Sequence, residues 1–203
     1  LLWPDLALRL VNKELDPIPL ASTCHGLHAL NEKGWAKGMA YRVLERSTRN
    51  RCAAWVAISN FVMESLKENG YPPDKIHLIR NGVDCVQTYP VNEHRREEIR
   101  RYLNVPPDAP LIGAAGTLRP LKDHESLLRA MPAILARHPE TRLFIFGSGP
   151  SLEGLMQTIR ELGIGDHAKI IGSLSTMLPQ VLSTLDVLVH PSRVEAFGLV
   201  VAE

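Results

Sequence analysis

Glu195 and Glu203 stand eight positions apart around the stretch Ala196–Ala202, with Phe197-Gly198 just after the first acid. A carboxylate readily accepts a pair of sugar hydroxyls. Further up the chain, "GTLRPLKD" sets Gly116, Arg119 and Lys122 within seven residues. Two cations beside a glycine that lets the backbone turn tightly suit a phosphate. Each feature also has a plain reading: a solvated basic loop for Arg119 and Lys122, and an N-terminal helix cap for Glu195. The loop "GSGP" (147–150) falls short of the G-x-G-x-x-G dinucleotide fingerprint.

These groups matter only if the fold brings them together. In the second half, apolar runs alternate with amphipathic patterns. The runs are Leu111 to Ala115, "RLFIFG", "AKIIG" and "DVLVH". Between them, Leu127, Leu128, Met131, Ile134 and Leu135 share one helical face, and Leu152, Leu155, Met156, Ile159 and Leu162 another. Asp123 is placed to cap the first helix. Pro132 predicts a kink or early stop there, and Gly163 ends the second helix. Residues 176–183 read as helical, and a further helix is expected from about Phe197. Unbroken apolar strands separated by helices give βαβ units and a parallel, doubly wound α/β sheet. In such sheets ligands sit at the carboxyl ends of the strands, where "GTLRPLKD", "GSGP" and "HPSRVEAFG" fall.

The first half follows the same plan less regularly. "PIPLASTC", "AWVAIS" and "KIHLIR" read as strands, and Ser59 caps a helix that runs to Gly70. Residues 85–110 are rich in proline and charge, with a short polar helix near Glu93 to Leu103. The expected division is 1–88 for a first domain, 89–110 for a linker and 111–203 for a second domain.

Composition narrows the classes. The formal net charge is +1 and aromatics are 5% of residues, which argues against a nucleic-acid partner. Cys24, Cys52 and Cys85 are odd in number and have no metal or disulfide spacing, as in a reducing compartment. No apolar run nears the ~20 residues that span a bilayer. Residues 33–51 hold six basic residues and one acidic residue. They read as a solvated helix face or as a surface meeting anionic lipid or a phosphorylated acceptor.

The ordered set "ISNFVMESLKENGYPPDKIHLIRNGVD", "GTLRPLKDHESLLRAM", "FGSGP", "IIGSLS" and "HPSRVEAFG…E" resembles the retaining glycosyltransferases of family 4, over roughly Thr23 to Glu203. The resemblance implies GT-B architecture: two Rossmann-like, doubly wound parallel-sheet domains, both read as incomplete here. It implies that Lys122 contacts the diphosphate of a nucleotide-sugar donor and that Glu195 touches sugar hydroxyls at the transferring centre. Ala196, Phe197, Gly198 and Leu199 would then meet sugar and diphosphate through their backbone. Glu203 would hold the ribose, and Gly172 to Leu174 would lie near the base. Thr117 stands where many members carry arginine, with Arg119 two residues on. His25, with His28 nearby, resembles an active-site histidine of the first domain.

The implied reaction moves a sugar to an acceptor hydroxyl with retention and without cofactor or metal, in keeping with the lack of a D-x-D motif. The acceptor would be a polysaccharide, a lipid-linked sugar or a small glycoside. The setting would be cytoplasmic, with peripheral contact at the membrane face. Another GT-B enzyme such as a nucleotide-sugar epimerase, or a non-catalytic nucleotide-binding module, is the alternative. The chain opens on Leu1 and stops on Glu203, which reads as a fragment expected to turn over poorly alone.

Overall fold

The computed structural model describes residues 2–11, 18–26, 35–83, 91–174 and 177–202. By contact the chain falls into two units, Leu1–Gly82 and Val83–Glu203. Among the described residues, no helix is long and apolar enough to cross a membrane.

The first unit holds α1 (Leu2–Val11), β1 (Ala21–Cys24), α2 (Trp35–Thr48), β2 (Ala54–Ala57), α3 (Asn60–Glu68) and β3 (Ile76–Leu78). The three strands form a parallel sheet in the order β1-β2-β3. Ser59 is extended and its side chain accepts from the Val62 N–H, as its type and place predict. Gly70, at φ +76°, takes the left-handed turn past the helix end. Arg9 of α1 donates to both oxygens of Glu45 of α2, at 2.9 and 2.7 Å. The Tyr71 hydroxyl donates to the same carboxylate at 2.5 Å. The Arg9 guanidinium also lies 5.0 Å from the Trp55 ring centroid. Arg9, Glu45, Tyr71 and Trp55 are all buried, so α1 and α2 are joined by a polar cluster inside the core. Burial, reinforced by Glu45, pushes the Tyr71 hydroxyl far above its ordinary range.

The second unit holds α4 (Glu93–Tyr102), β4 (Leu111–Ala115), α5 (His124–Leu135), β5 (Arg142–Phe146), α6 (Leu152–Glu161), β6 (Ala168–Ile171), α7 (Leu178–Leu182), β7 (Val187–Leu188) and α8 (Leu199–Ala202). Its sheet is wholly parallel, in the order β6-β5-β4-β7. One face packs Leu127, Leu128 and Met131 of α5 and Leu155 and Ile159 of α6 on Ala114, Leu143 and Ile145. The other face packs Ile99 and Leu103 with Val181 on Ala115, Phe144 and Phe146.

The helix read from sequence as part of a connecting stretch is thus built into the second unit's core. Its anchor is polar as well. Arg96 donates to Asp186 Oδ1 at 2.7 Å, while Asp186 Oδ2 accepts from the Leu111 N–H at 2.7 Å. Buried Arg100 donates to the carbonyls of Pro106 and Ala109.

Two local expectations are corrected. Pro132 does not stop α5, which runs on to Leu135. Proline falls in the last turn, where one lost N–H bond is outweighed by the buried Leu127, Leu128 and Met131. The last helix begins at Leu199, not at Phe197.

Candidate donor site at the strand ends of the second unit

β4 lies between β5 and β7, so the chain leaves β4 to one side for β5 and β6, then crosses back to β7 on the other. This reversal is the topological switch point where open α/β sheets make their ligand crevices. The loops that leave β4 and β7 carry the residues singled out from sequence.

The β4 loop is zipped to the β5 loop by backbone bonds. Gly116 N–H donates to Phe146 O at 3.0 Å, Leu118 N–H to Ser148 O at 2.9 Å, and Ser151 N–H to Leu118 O at 3.0 Å. The approach is so close that a Cβ at Gly147 would lie 1.9 Å from Gly116 O, and one at Gly149 2.4 Å from Leu118 O. Here "GSGP" works as backbone clearance, which is why glycine is needed. Gly116 itself sits at φ +150° with Lys122 Cε 3.9 Å from where its Cβ would be. The short 3-10 turn Pro120–Lys122 then carries Lys122 inward.

Asp123 stands at the N-cap position of α5 in the left-handed conformation, φ 50°, and its closest side-chain partner lies elsewhere. It accepts from Arg193 Nε at 3.0 Å, and that hydrogen bond holds its carboxyl below the usual range. The Arg193 N–H also donates to Leu121 O at 3.0 Å. Together these two contacts fasten the β7 loop onto the turn that holds Lys122.

Lys122 Nζ donates to Glu195 Oε2, and His190 Nε2 lies 2.9 Å from the same oxygen. All three side chains are partly buried. Partial burial works to raise the Glu195 carboxyl, but the hydrogen bonds and charge of Lys122 and His190 outweigh it and hold it below the usual carboxylate range. Close by, His124 is buried and its Nδ1 has no hydrogen-bond partner among the described residues. Burial, with help from the nearby Lys122 and His190, lowers its pKa from the ordinary 6.5.

The structure therefore gathers Gly116, Lys122 and Glu195 at one place. Ala196 and Phe197 are half-buried along the β7 loop, and Gly198 turns left-handed at φ +78°, with Glu195 Cγ 3.4 Å from where its Cβ would be. Thr117 and Arg119 are exposed. Arg119 lines a cavity of about 160 Å³ with Asp123, His124, Ser151 and Arg193. Gly172 directly follows β6. His25 directly follows β1 in the first unit. Glu203 and His28 lie outside the described residues. His190 and His124 carried no assignment in the sequence. His190 was visible only as the first letter of "HPSR", and His124 as one polar residue at a helix start.

The profile of the glycosyl transferases group 1 matches residues 95–203, and that of glycosyltransferase family 4 matches residues 2–87. The chain belongs to the glycosyl transferases group 1 family. A D-inositol 3-phosphate glycosyltransferase of Segniliparus rotundus is 30% identical over 92% of this chain and 43% of its own length. An uncharacterized glycosyltransferase of Methanocaldococcus jannaschii is 35% identical over 70% of this chain and 38% of its own. The chain thus spans less than half the length of these curated relatives.

Among solved structures, Anabaena HepE in complex with UDP-glucose aligns with TM-score 0.79 at 21% identity, covering 98% of this chain and 53% of that one. WaaG, a glycosyltransferase involved in lipopolysaccharide biosynthesis, aligns with TM-score 0.76 at 16% identity, covering 96% and 58%. Both units of this group 1 chain are therefore of the parallel α/β, GT-B kind, incomplete beside the longer chains they match.

Proposed function

We propose that this chain carries the donor site of a metal-independent, retaining glycosyltransferase that moves a sugar from a nucleoside diphosphate to an acceptor hydroxyl. The observation that carries the reading is the meeting of Lys122 and Glu195 at the switch point of the second unit's sheet. Lys122 would lie against the diphosphate and offset the charge that grows on it as the glycosidic bond breaks. A fixed charge in a partly dry site is worth far more than one in water. Glu195 would accept from donor-sugar hydroxyls and orient the anomeric carbon. The acceptor hydroxyl then bonds to that carbon, and its proton passes to a donor phosphate oxygen, so no separate protein base is needed. UDP-glucose on HepE supports a nucleotide-sugar donor. The inositol 3-phosphate acceptor named for the Segniliparus relative fits a hydroxyl acceptor carrying an anionic group.

The reading is tested by expressing the chain with the coding sequence that flanks it and supplying nucleotide sugars and acceptors. The expected product keeps the donor's anomeric configuration, and EDTA leaves the rate unchanged. An inverted product, or loss of rate with EDTA, contradicts it.

A cytoplasmic setting with contact at the membrane face is part of the same proposal. On α2, Met39, Val43 and Arg46 are all exposed. Their i, i+4, i+7 spacing sets two apolar side chains and a cation on one helical face. Charge reversal at Arg42 and Arg46 is expected to weaken binding to vesicles of anionic lipid. Equal binding contradicts that contact.

A further inference from the structure

His190 is placed with unusual firmness for a residue in a loop. The Val189 N–H still donates to Gly113 O at 2.8 Å, so His190 is one residue past a bond to β4. Pro191 follows it, and a residue before proline is confined to extended backbone. Three residues on, the Arg193 N–H is held by Leu121 O. The imidazole is thus fixed on the side of Glu195 that belongs to β7, while Lys122 reaches the same carboxylate from the β4 loop.

Both contacts fall on one oxygen. His190 Nε2 and Lys122 Nζ each meet Glu195 Oε2, and neither donates to Oε1. A carboxylate held at one oxygen in this way presents the other in a set direction. The two holders differ in what else they have to do. Lys122 would also serve the donor diphosphate, and as it turns to that stronger anion its grip on Glu195 loosens. His190 has no such second duty.

We propose that His190 is a positioning residue: it keeps Glu195 anchored through Oε2 when Lys122 engages the diphosphate, leaving Oε1 to receive a donor-sugar hydroxyl. This rests on the donor-site reading given under Proposed function. The anchor is an imidazole Nε2–H, present in the cation and in one neutral tautomer. A glutamine carboxamide N–H can stand in for it, and alanine cannot.

The experiment has two arms on the whole chain. In the first, without ligand, the Glu195 carboxyl is titrated by carbon NMR. His190→Ala is expected to move its midpoint upward toward the ordinary value, and His190→Gln to restore it in part. An unmoved midpoint in His190→Ala overturns the anchor. In the second, calorimetry measures UDP, GDP and ADP against UDP-glucose, UDP-N-acetylglucosamine, GDP-mannose and ADP-glucose. For the tightest nucleotide sugar, His190→Ala is expected to weaken binding about tenfold to 150-fold, the range for one hydrogen bond to a charged group. The matching nucleoside diphosphate is expected to change less than twofold, and His190→Gln to recover most of the loss. Equal weakening of both ligands, or of neither, overturns the positioning role while leaving the donor site standing. Failure of the unmutated chain to bind any probe overturns the donor-site reading itself, and the first arm still reports the anchor.

Discussion

The Lys122 ammonium donates to the Glu195 carboxylate across 73 residues of chain. Each residue leaves the end of a different strand, one beyond β4 and one beyond β7, and those strands are neighbours in the sheet. The pair is therefore a product of topology, and it sets a cation and an anion at the lip of the crevice. In a ligand-free site each satisfies the other. A diphosphate would take the cation, and a sugar would take the anion.

Glu195→Gln separates these two duties. It removes the negative charge that neutralises Lys122 and keeps an acceptor oxygen. Binding of a nucleoside diphosphate is expected to stay equal or become tighter, while sugar transfer by the parent enzyme falls about 10²-fold or more, as when one preorganised polar contact is lost at a reacting centre. Calorimetry and rate measurements check the two halves. Loss of nucleoside diphosphate binding in this variant would contradict the assignment.

The glycines of the second unit give a contrasting pair. At Gly147, a Cβ would sit 1.9 Å from the Gly116 carbonyl oxygen. Backbone must then move, so Gly147→Ala is expected to cost about 3 kcal/mol. Gly154, inside α6, has nothing within 4 Å of a new Cβ. Gly154→Ala is expected to stabilise the chain by about 0.5–1 kcal/mol. Thermal or urea unfolding of both variants checks the pair, and opposite signs are required.

In the first unit, Glu45 is the shared acceptor for Arg9 and Tyr71. Glu45→Ala removes the carboxylate that a buried guanidinium and a buried hydroxyl share, and is expected to cost about 3–5 kcal/mol. Replacing the group together, as Arg9→Met, Glu45→Leu and Tyr71→Phe, is expected to recover most of that loss. Urea unfolding checks it, and a triple variant as unstable as the single one would contradict the account.

His124 predicts an acid-side loss of stability. Its folded pKa lies below the ordinary 6.5, so the unfolded chain binds a proton first as pH falls. Stability then declines from about 6.5 down to the folded midpoint. The loss from Glu195 and Asp123, whose carboxyls are lowered, begins only as pH falls into the ordinary carboxylate range. His124→Leu is expected to flatten the fall in melting temperature between pH 7 and pH 5.5. An unchanged slope in that window would contradict it.

Much of the fold was legible in residues that act locally. Apolar runs marked β4 and β5, Ser59 marked the start of α3, and Gly163, at φ +64°, marked the turn after α6. What escaped was set at a distance. Only Ile99 and Leu103 mark the apolar side of a charged helix, so the place of α4 in the core depended on the sheet it meets. Asp123 has the residue type of a cap, but its partner is Arg193, 70 positions on. The site was legible as residue types, with Lys122 suited to phosphate and Glu195 to sugar hydroxyls. Their pairing was not, and neither was the role of His190, since nothing in "HPSR" says which carboxylate the imidazole will face.

The central claim is that Lys122 and Glu195 mark the place where a nucleoside diphosphate binds. Calorimetric titration of UDP, GDP and ADP into the chain and into Lys122→Ala tests it directly. At least one nucleotide is expected to bind the unmutated chain, and Lys122→Ala is expected to weaken it about tenfold to a hundredfold, as for loss of one charge-assisted contact. Binding of none of the three, or equal binding by Lys122→Ala, would contradict it.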